Sequence, residues 1–180
     1  RAWWMMKWCG HEAVAILDGG MAAWQAVGGA MASGVAPQVP AKSAYPLAAP
    51  LVAVTELDTV WRHLDSDQTI VDARAPARYR GDVEPLDPIA GHIPGALNMP
   101  FNENFDADGR FKSRDSLRQM WLKLLGDCNH AHVVMHCGSG VSAVPNVVSM
   151  ALAGLPTPTL YAGSWSEWSR HPDTPKTKEV

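Results

Sequence analysis

Residues 132–150 read HVVMHCGSGVSAVPNVVSM, and the order of residue types in this stretch decides the fold. The apolar run from His132 to Met135 is long enough for a short buried strand. Two glycines, Gly138 and Gly140, break it. Val144, Val147, Val148, Ala151 and Leu152 then recur at the spacing of one helix face. Pro145 suits that helix because it falls in the first turn, where its missing N–H has no intrahelical partner. The segment therefore reads as strand, tight turn, helix beginning near Ala143. Cys137 sits at the hinge, where a side chain is expected to be available for chemistry rather than sealed inside the run.

The same pattern repeats outward. Gln68 to Ala73 and Thr159 to Ala162 are short buried strands. Leu57, Val60, Trp61 and Leu64 form an i, i+3, i+4, i+7 stripe, with Thr55 and Asp58 as a capping box ahead of it. Leu117, Met120, Trp121, Leu124 and Leu125 mark another helix. Pro76 to Gly95, with four prolines and three glycines, reads as a long loop. Short strands alternating with helices predict an α/β domain: a mostly parallel sheet with helices on both faces.

In such sheets ligands bind beyond the carboxyl ends of the strands. Cys137 follows a strand, so it belongs to that edge. Two glycines let the Gly138-Ser139-Gly140-Val141-Ser142 backbone curl with its N–H groups turned inward, as an anion-binding nest. The following helix adds the positive end of its dipole. A thiol there is favoured as thiolate, the nucleophilic form, and Ser139 and Ser142 can add hydroxyl donors. The competing reading makes Cys137 a small core residue before a turn. Cys9 and Cys128 have no comparable setting and read as structural.

Residues 71–81, VDARAPARYRG, leave a second strand at the same edge and carry Arg74, Arg78 and Arg80. An arginine facing the loop would hold an anionic substrate. Arg74 can do this or buttress Asp72, Arg78 is the better substrate candidate, and Arg80 reads as solvated.

Residues 10–24, GHEAVAILDGGMAAW, align with residues 154–168, GLPTPTLYAGSWSEW, at one offset. Gly10 meets Gly154, Leu17 meets Tyr161, Gly19 meets Gly163 and Trp24 meets Trp168. Each copy reads as a helix end, a short buried strand and a short tryptophan-anchored helix. Two converging α/β units would also show so few identities, but the flanks favour duplication, since an α/β body precedes only the second copy. The expected organisation has residues 1–30 as the C-terminal remnant of an upstream domain. A Pro/Ala-rich linker over 31–50, the intact domain over 51–175 and a tail over 176–180 complete it.

The remaining numbers set limits. The 180 residues are 47% hydrophobic and 18% charged, a globular balance, with eight tryptophans to fill a core. A net charge of −3 without Lys/Arg clusters argues against nucleic acid as a partner. No apolar run approaches the ~20 residues that cross a bilayer, so no membrane association is expected. Three cysteines without C-x-x-C spacing argue against a disulfide framework and a metal site, and point to a reducing, cytoplasmic compartment.

Four segments together, VDARAPARYRG (71–81), GHIPGALNMPF (91–101), HCGSGVSA (136–143) and YAGSWSEW (161–168), resemble two-domain rhodanese-type sulfurtransferases, in that family's order. Residues 1–24 look like the end of the family's non-catalytic N-terminal domain. The uncharged loop CGSGVSA resembles the 3-mercaptopyruvate sulfurtransferase version, whereas thiosulfate-preferring members carry charge after the cysteine. The resemblance implies double displacement. Cys137 takes a sulfur from a small anionic donor, holds it as a persulfide without any other cofactor, and yields it to a thiol or cyanide acceptor. It also implies substrate contacts from Arg78 and from the backbone of Gly138, Gly140, Val141 and Ala143. Ser139 stands where a serine is thought to assist proton transfer, and Ser142 where threonine is usual. Two departures stand out. Leu86 occupies the place of a second substrate arginine, and the partner acidic and histidine residues of the N-terminal domain are not in this sequence. His92 and His136 read as turn and strand-end residues rather than bases.

A cysteine phosphatase uses the same thiolate-in-a-nest physics but needs an arginine at the sixth position after the cysteine, which here is Ala143. A thiosulfate-preferring enzyme and a non-catalytic rhodanese-like module compete with the mercaptopyruvate reading as well, although modules of that kind usually lose the cysteine.

Overall fold

The computed structural model describes residues 1–35 and 44–178. Five strands, β1 (Val54–Thr55), β2 (Thr69–Asp72), β3 (Leu97–Asn98), β4 (Val133–His136) and β5 (Thr159–Tyr161), form one sheet in the order β1-β5-β4-β2-β3. Every pairing is parallel. The helices are α1 (Ala2–Trp8), α2 (Gly20–Ala26), α3 (Leu57–Arg62), α4 (Pro76–Arg80), α5 (Arg114–Leu125), α6 (Val144–Leu152) and α7 (Ser164–Trp168).

The two-residue period of a strand sorts side chains to opposite faces. Val71, Val133 and Met135 enter one core cluster with Leu117 and Trp121 of α5 and Val144 and Val147 of α6. Their neighbours Ile70 and Val134 enter a second cluster with Leu57 and Val60 of α3 and Trp165 and Trp168 of α7. Helices thus cover both faces, as the alternation of elements predicts, and parallel strands buried on both sides are apolar throughout. The Trp121 indole N–H donates to Ser149 Oγ at 2.8 Å and ties α5 to α6.

β2 and β4 are in register, Asp72 opposite His136, so both strands end level. The segments that follow, 73–80 and 137–143, emerge side by side. The segment after β5 joins them on the same edge.

Three local expectations change. Thr55 is not part of a capping box: it lies in β1, paired with Tyr161, and α3 is N-capped by Glu56 without a side-chain hydrogen bond. The stretch 76–95 is not all loop. It opens with α4, with Pro76 in its first turn and Gly81 (φ 88°) closing it, a helix too short for periodicity to reveal. The strand expected within residues 10–24 does not form, because a strand exists through its neighbours and residues 11–18 pair with none among the described residues. Leu17 and Trp24 are exposed there, whereas their counterparts Tyr161 and Trp168 are fully buried.

The first segment still docks on the body. Trp4 is buried in the first cluster, and the Asp18 carboxylate accepts the Phe111 N–H at 2.9 Å. Of the expected linker, residues 36–43 lie outside the described residues, as do tail residues 179 and 180. Thr177 exchanges backbone hydrogen bonds with His92 at 2.9 and 3.1 Å.

Candidate active site

Cys137 leaves β4 directly, and the loop after it is held by its carbonyls. Cys137 O accepts the Trp165 N–H at 3.0 Å, and Gly138 O accepts the Ser166 N–H at 2.8 Å. Ser139 O accepts from the Arg1 guanidinium at 3.0 Å, and Val141 O from the Val144 N–H at 3.2 Å. A trans peptide sets its C=O and N–H on opposite sides. Each anchored carbonyl therefore turns the next N–H away from its anchor, at Gly138, Ser139, Gly140 and Ser142. Among the described residues, none of the six N–H groups from Gly138 to Ala143 has a protein acceptor. The nine-residue α6 begins immediately afterwards, with Ala143 at its N-cap and no side chain capping it. A run of unclaimed donors ending at a helix N-terminus is an anion cradle.

Gly140 is required twice over. Its φ of +67° favours glycine, and a Cβ there would stand 2.4 Å from Ala162 O. The loop is thus pressed against the chain leaving β5. Ser164 fixes the other end of the cradle. Among the described residues it alone combines a side chain with positive φ (55°). Its buried hydroxyl accepts the Cys137 N–H at 3.2 Å and donates to Tyr161 O at 2.9 Å.

One expectation about the nucleophile changes here. Cys137 is only 1% exposed, not open at the surface, and clusters with Ala143 and Val144. The Trp165 amide holds its carbonyl and the loop packs against Ala162 just beyond β5, depth that a position in sequence does not specify. Ser139 is exposed and Ser142 half-buried, and neither hydroxyl has a protein partner among the described residues. Val141 is exposed, while Gly140 and Ala143 are buried.

Arg78, in the last turn of α4, lies against the loop: a Cβ on Gly138 would be 3.4 Å from its Nη1. Its Nη2 meets Glu84 Oε1 at 2.5 Å and Asp87 Oδ2 at 3.5 Å. Burial pushes the Glu84 carboxyl up, but hydrogen bonding from Arg78 and from the Leu86 and Asp87 amides outweighs it and holds Glu84 below its ordinary value. Arg74 is the buttress. It donates from Nε and Nη2 to Asp72, from Nη1 to Glu84, and to Gly91 O, with its guanidinium 4.8 Å from the Trp165 ring centre. Arg80 pairs with Asp82 at 2.7 Å at the surface.

Both histidines of the two motifs are packed into the fold, though His136 Nε2, 3.6 Å from Asp72 Oδ2, is buried without a hydrogen-bond partner. His92 bonds Tyr79 O at 2.7 Å and stacks on the Tyr79 ring. His136 is fully buried, and its Nδ1 donates to Cys137 O at 3.2 Å. Burial holds it below its ordinary pKa, against the pull of Asp72. Sequence reasoning missed Ser164, Trp165 and Ser166 as the outer clamp, Arg1 on Ser139, and Glu84 with Asp87 around Arg78. Only the acidic pair carried a signal, as carboxylates within an arginine-bearing segment.

Residues 56–171 match the Rhodanese-like domain family. The chain is 43% identical over 177 residues to a Pseudomonas aeruginosa protein named "Probable 3-mercaptopyruvate sulfurtransferase", covering 97% of this chain and 62% of that protein. It is 36% identical to human 3-mercaptopyruvate sulfurtransferase (93% and 57% covered). Identity is 41% to SseB of Mycobacterium tuberculosis, provisionally named a thiosulfate sulfurtransferase (97% and 61%). The chain thus spans about three fifths of the length of these relatives. Among solved structures, the anaerobic ergothioneine biosynthesis enzyme of Chlorobium limicola superposes with a TM-score of 0.89 at 25% identity, covering 99% of this chain and 44% of that one. A variant of EanB with ergothioneine covalently linked to a cysteine persulfide gives 0.85 at 26%, with the same coverage. No helix among the described residues is long and apolar enough to cross a membrane. With a matched region that contains both the parallel sheet and the Cys137 loop, the chain belongs to the rhodanese-like family.

Proposed function

We propose that the chain is the catalytic part of a sulfurtransferase that moves a sulfane sulfur through a persulfide on Cys137, with 3-mercaptopyruvate as the preferred donor. One observation carries this reading: the carbonyls of Cys137, Gly138 and Ser139 are held by distant segments and that of Val141 by the first amide of α6, which leaves six amides without a protein acceptor ahead of the α6 N-terminus. Such a cradle serves a thiolate, a persulfide and the transition state between them.

With 3-mercaptopyruvate, the Cys137 thiolate attacks the donor sulfur. The new S–S bond forms as the C–S bond breaks, and the sulfur's proton passes to the carbon, so that pyruvate leaves and a persulfide anion remains. An acceptor thiolate then attacks the outer sulfur and returns Cys137 to the thiolate. Arg78 holds the donor carboxylate, and the Ser139 hydroxyl, without a protein partner among the described residues and two residues beyond the nucleophile, assists the proton's movement. The reaction needs no metal or further cofactor. Residues 51–175 are the catalytic unit, residues 1–30 the end of a second rhodanese-like unit, and the compartment is reducing and cytoplasmic.

The uncharged Ser139-Gly140-Val141 favours the singly charged 3-mercaptopyruvate over the dianionic thiosulfate, in line with the names of the P. aeruginosa and human relatives. Phosphatase chemistry is disfavoured because the position its arginine needs is the buried Ala143. Intact mass after incubation with 3-mercaptopyruvate or thiosulfate, once excess donor is removed, tests the reading. One added sulfur atom is expected in the wild type and none in Cys137→Ser. No addition with either donor refutes the proposal.

A further inference from the structure

Three arginines and three carboxylates form a single network that meets the Cys137 loop through Arg78, and their exposure is graded. The Asp72, Glu84 and Asp87 side chains are 0%, 3% and 1% exposed. The Arg74 side chain is 1% exposed, Arg78 19% and Arg170 56%. All the negative charge is inside, so the face that meets solvent is guanidinium alone.

Arg170 is placed rather than loose. Its Nη1 donates to Ser166 O at 2.5 Å and its Nη2 stands 3.3 Å from Asp87 Oδ1. The other oxygen of the same carboxylate faces Arg78 Nη2 at 3.5 Å. Asp87 therefore holds two guanidiniums side by side, one on each oxygen. Arg78 lies against Gly138, and Arg170 is tied to the loop at one remove, since the Ser166 whose carbonyl holds it donates its own N–H to Gly138 O. Leu86, between Glu84 and Asp87 in sequence, is exposed and brings no charge.

We propose that Arg170 is a second donor-binding residue, which with Arg78 forms a two-guanidinium seat for the anionic head of the sulfur donor, with Asp87 as the strut that spaces them. This rests on the sulfurtransferase reading and adds a specificity determinant to it. A seat with two cations favours a head that spreads charge over several oxygens. Loss of Arg170 should therefore harm a dianionic donor such as thiosulfate more than a monocarboxylate such as 3-mercaptopyruvate.

The test is single-turnover sulfur loading of Cys137 in the full chain, followed by intact mass over a range of donor concentrations. Arg170→Met should raise the half-saturating thiosulfate concentration roughly tenfold and that of 3-mercaptopyruvate less, with the maximal loading rate within about twofold. Arg170→Lys should recover most of the loss, and added salt should narrow the gap between wild type and Arg170→Met. Unchanged saturation in Arg170→Met, or a fall in maximal rate without a change in saturation, overturns the assignment. So does a loss in Arg170→Lys equal to that in Arg170→Met. A wild type that takes no sulfur from either donor overturns the sulfurtransferase reading itself, an outcome distinct from all of these.

Discussion

Gly140→Ala is the sharpest perturbation of the cradle, because two separate penalties fall on one added methyl. At φ +67° an alanine is in the left-handed region, which costs about 1–2 kcal/mol. The new Cβ would also be 2.4 Å from Ala162 O and 3.0 Å from Ala162 Cα, and backbone cannot swing aside as a side-chain tip can. Overpacking of that kind costs about 1–3 kcal/mol more. The whole penalty, about 2–5 kcal/mol, has two outlets: the domain loses that stability, or the loop lifts off the chain leaving β5 and loses its shape. A displacement near 1 Å at a reacting centre costs on the order of a hundredfold in rate. Urea unfolding and the rate of sulfur loading on Cys137 should be measured together, with Gly138→Ala as control. In the control the nearest atoms to the Cβ belong to the flexible Arg78 side chain, at 3.4 Å, so fold stability should hold and only donor saturation should shift. A Gly140→Ala protein with wild-type stability and wild-type loading would refute the claim that this contact shapes the cradle.

Arg74→Met should cost about 3–5 kcal/mol in urea unfolding, since it strips the buried Asp72 and Glu84 of their shared cation; a loss below about 1 kcal/mol would show that the network relaxes without it. The pH dependence has a definite sign. His136 is held below its ordinary value of 6.5 by burial, so the unfolded chain takes up that proton first, and stability is present above pH 6.5 and lost as pH falls towards the folded value. His136→Gln should remove this component from the stability profile, and an identical profile in the variant would refute it. Glu84 is also held down, with burial outweighed by Arg78 and backbone amides, so its contribution is lost only below its ordinary value of 4.5. Arg78→Met should abolish that lower step as well as weaken donor saturation, and an unaltered acid limb would speak against the pair.

The features of this protein that depend on near neighbours are written in its sequence alone. The apolar run before Cys137, the glycines after it and the spaced valines beyond Pro145 specify strand, turn and helix through local sterics and periodicity. Repetition of that unit leads to a parallel sheet with an edge where ligands bind. Arg74 as a partner of Asp72 was equally legible, since only Ala73 separates them and the strand ends at Asp72. The family could be recognised because its motifs are local too.

What the loop faces is set by contacts between distant segments. Three of the four carbonyl anchors come from Trp165 and Ser166 of α7 and from Arg1, far away in sequence, and these contacts turn the amides that follow away from the anchors. The positive φ of Ser164, the burial of Cys137 and the sharing of Asp87 between Arg78 and Arg170 arise in the same way. No short window of residues carries them, because each is set where separate segments meet at one sheet edge. The strand expected in the first copy failed for the converse reason: its side-chain pattern is present, but among the described residues no neighbouring strand completes its hydrogen bonds.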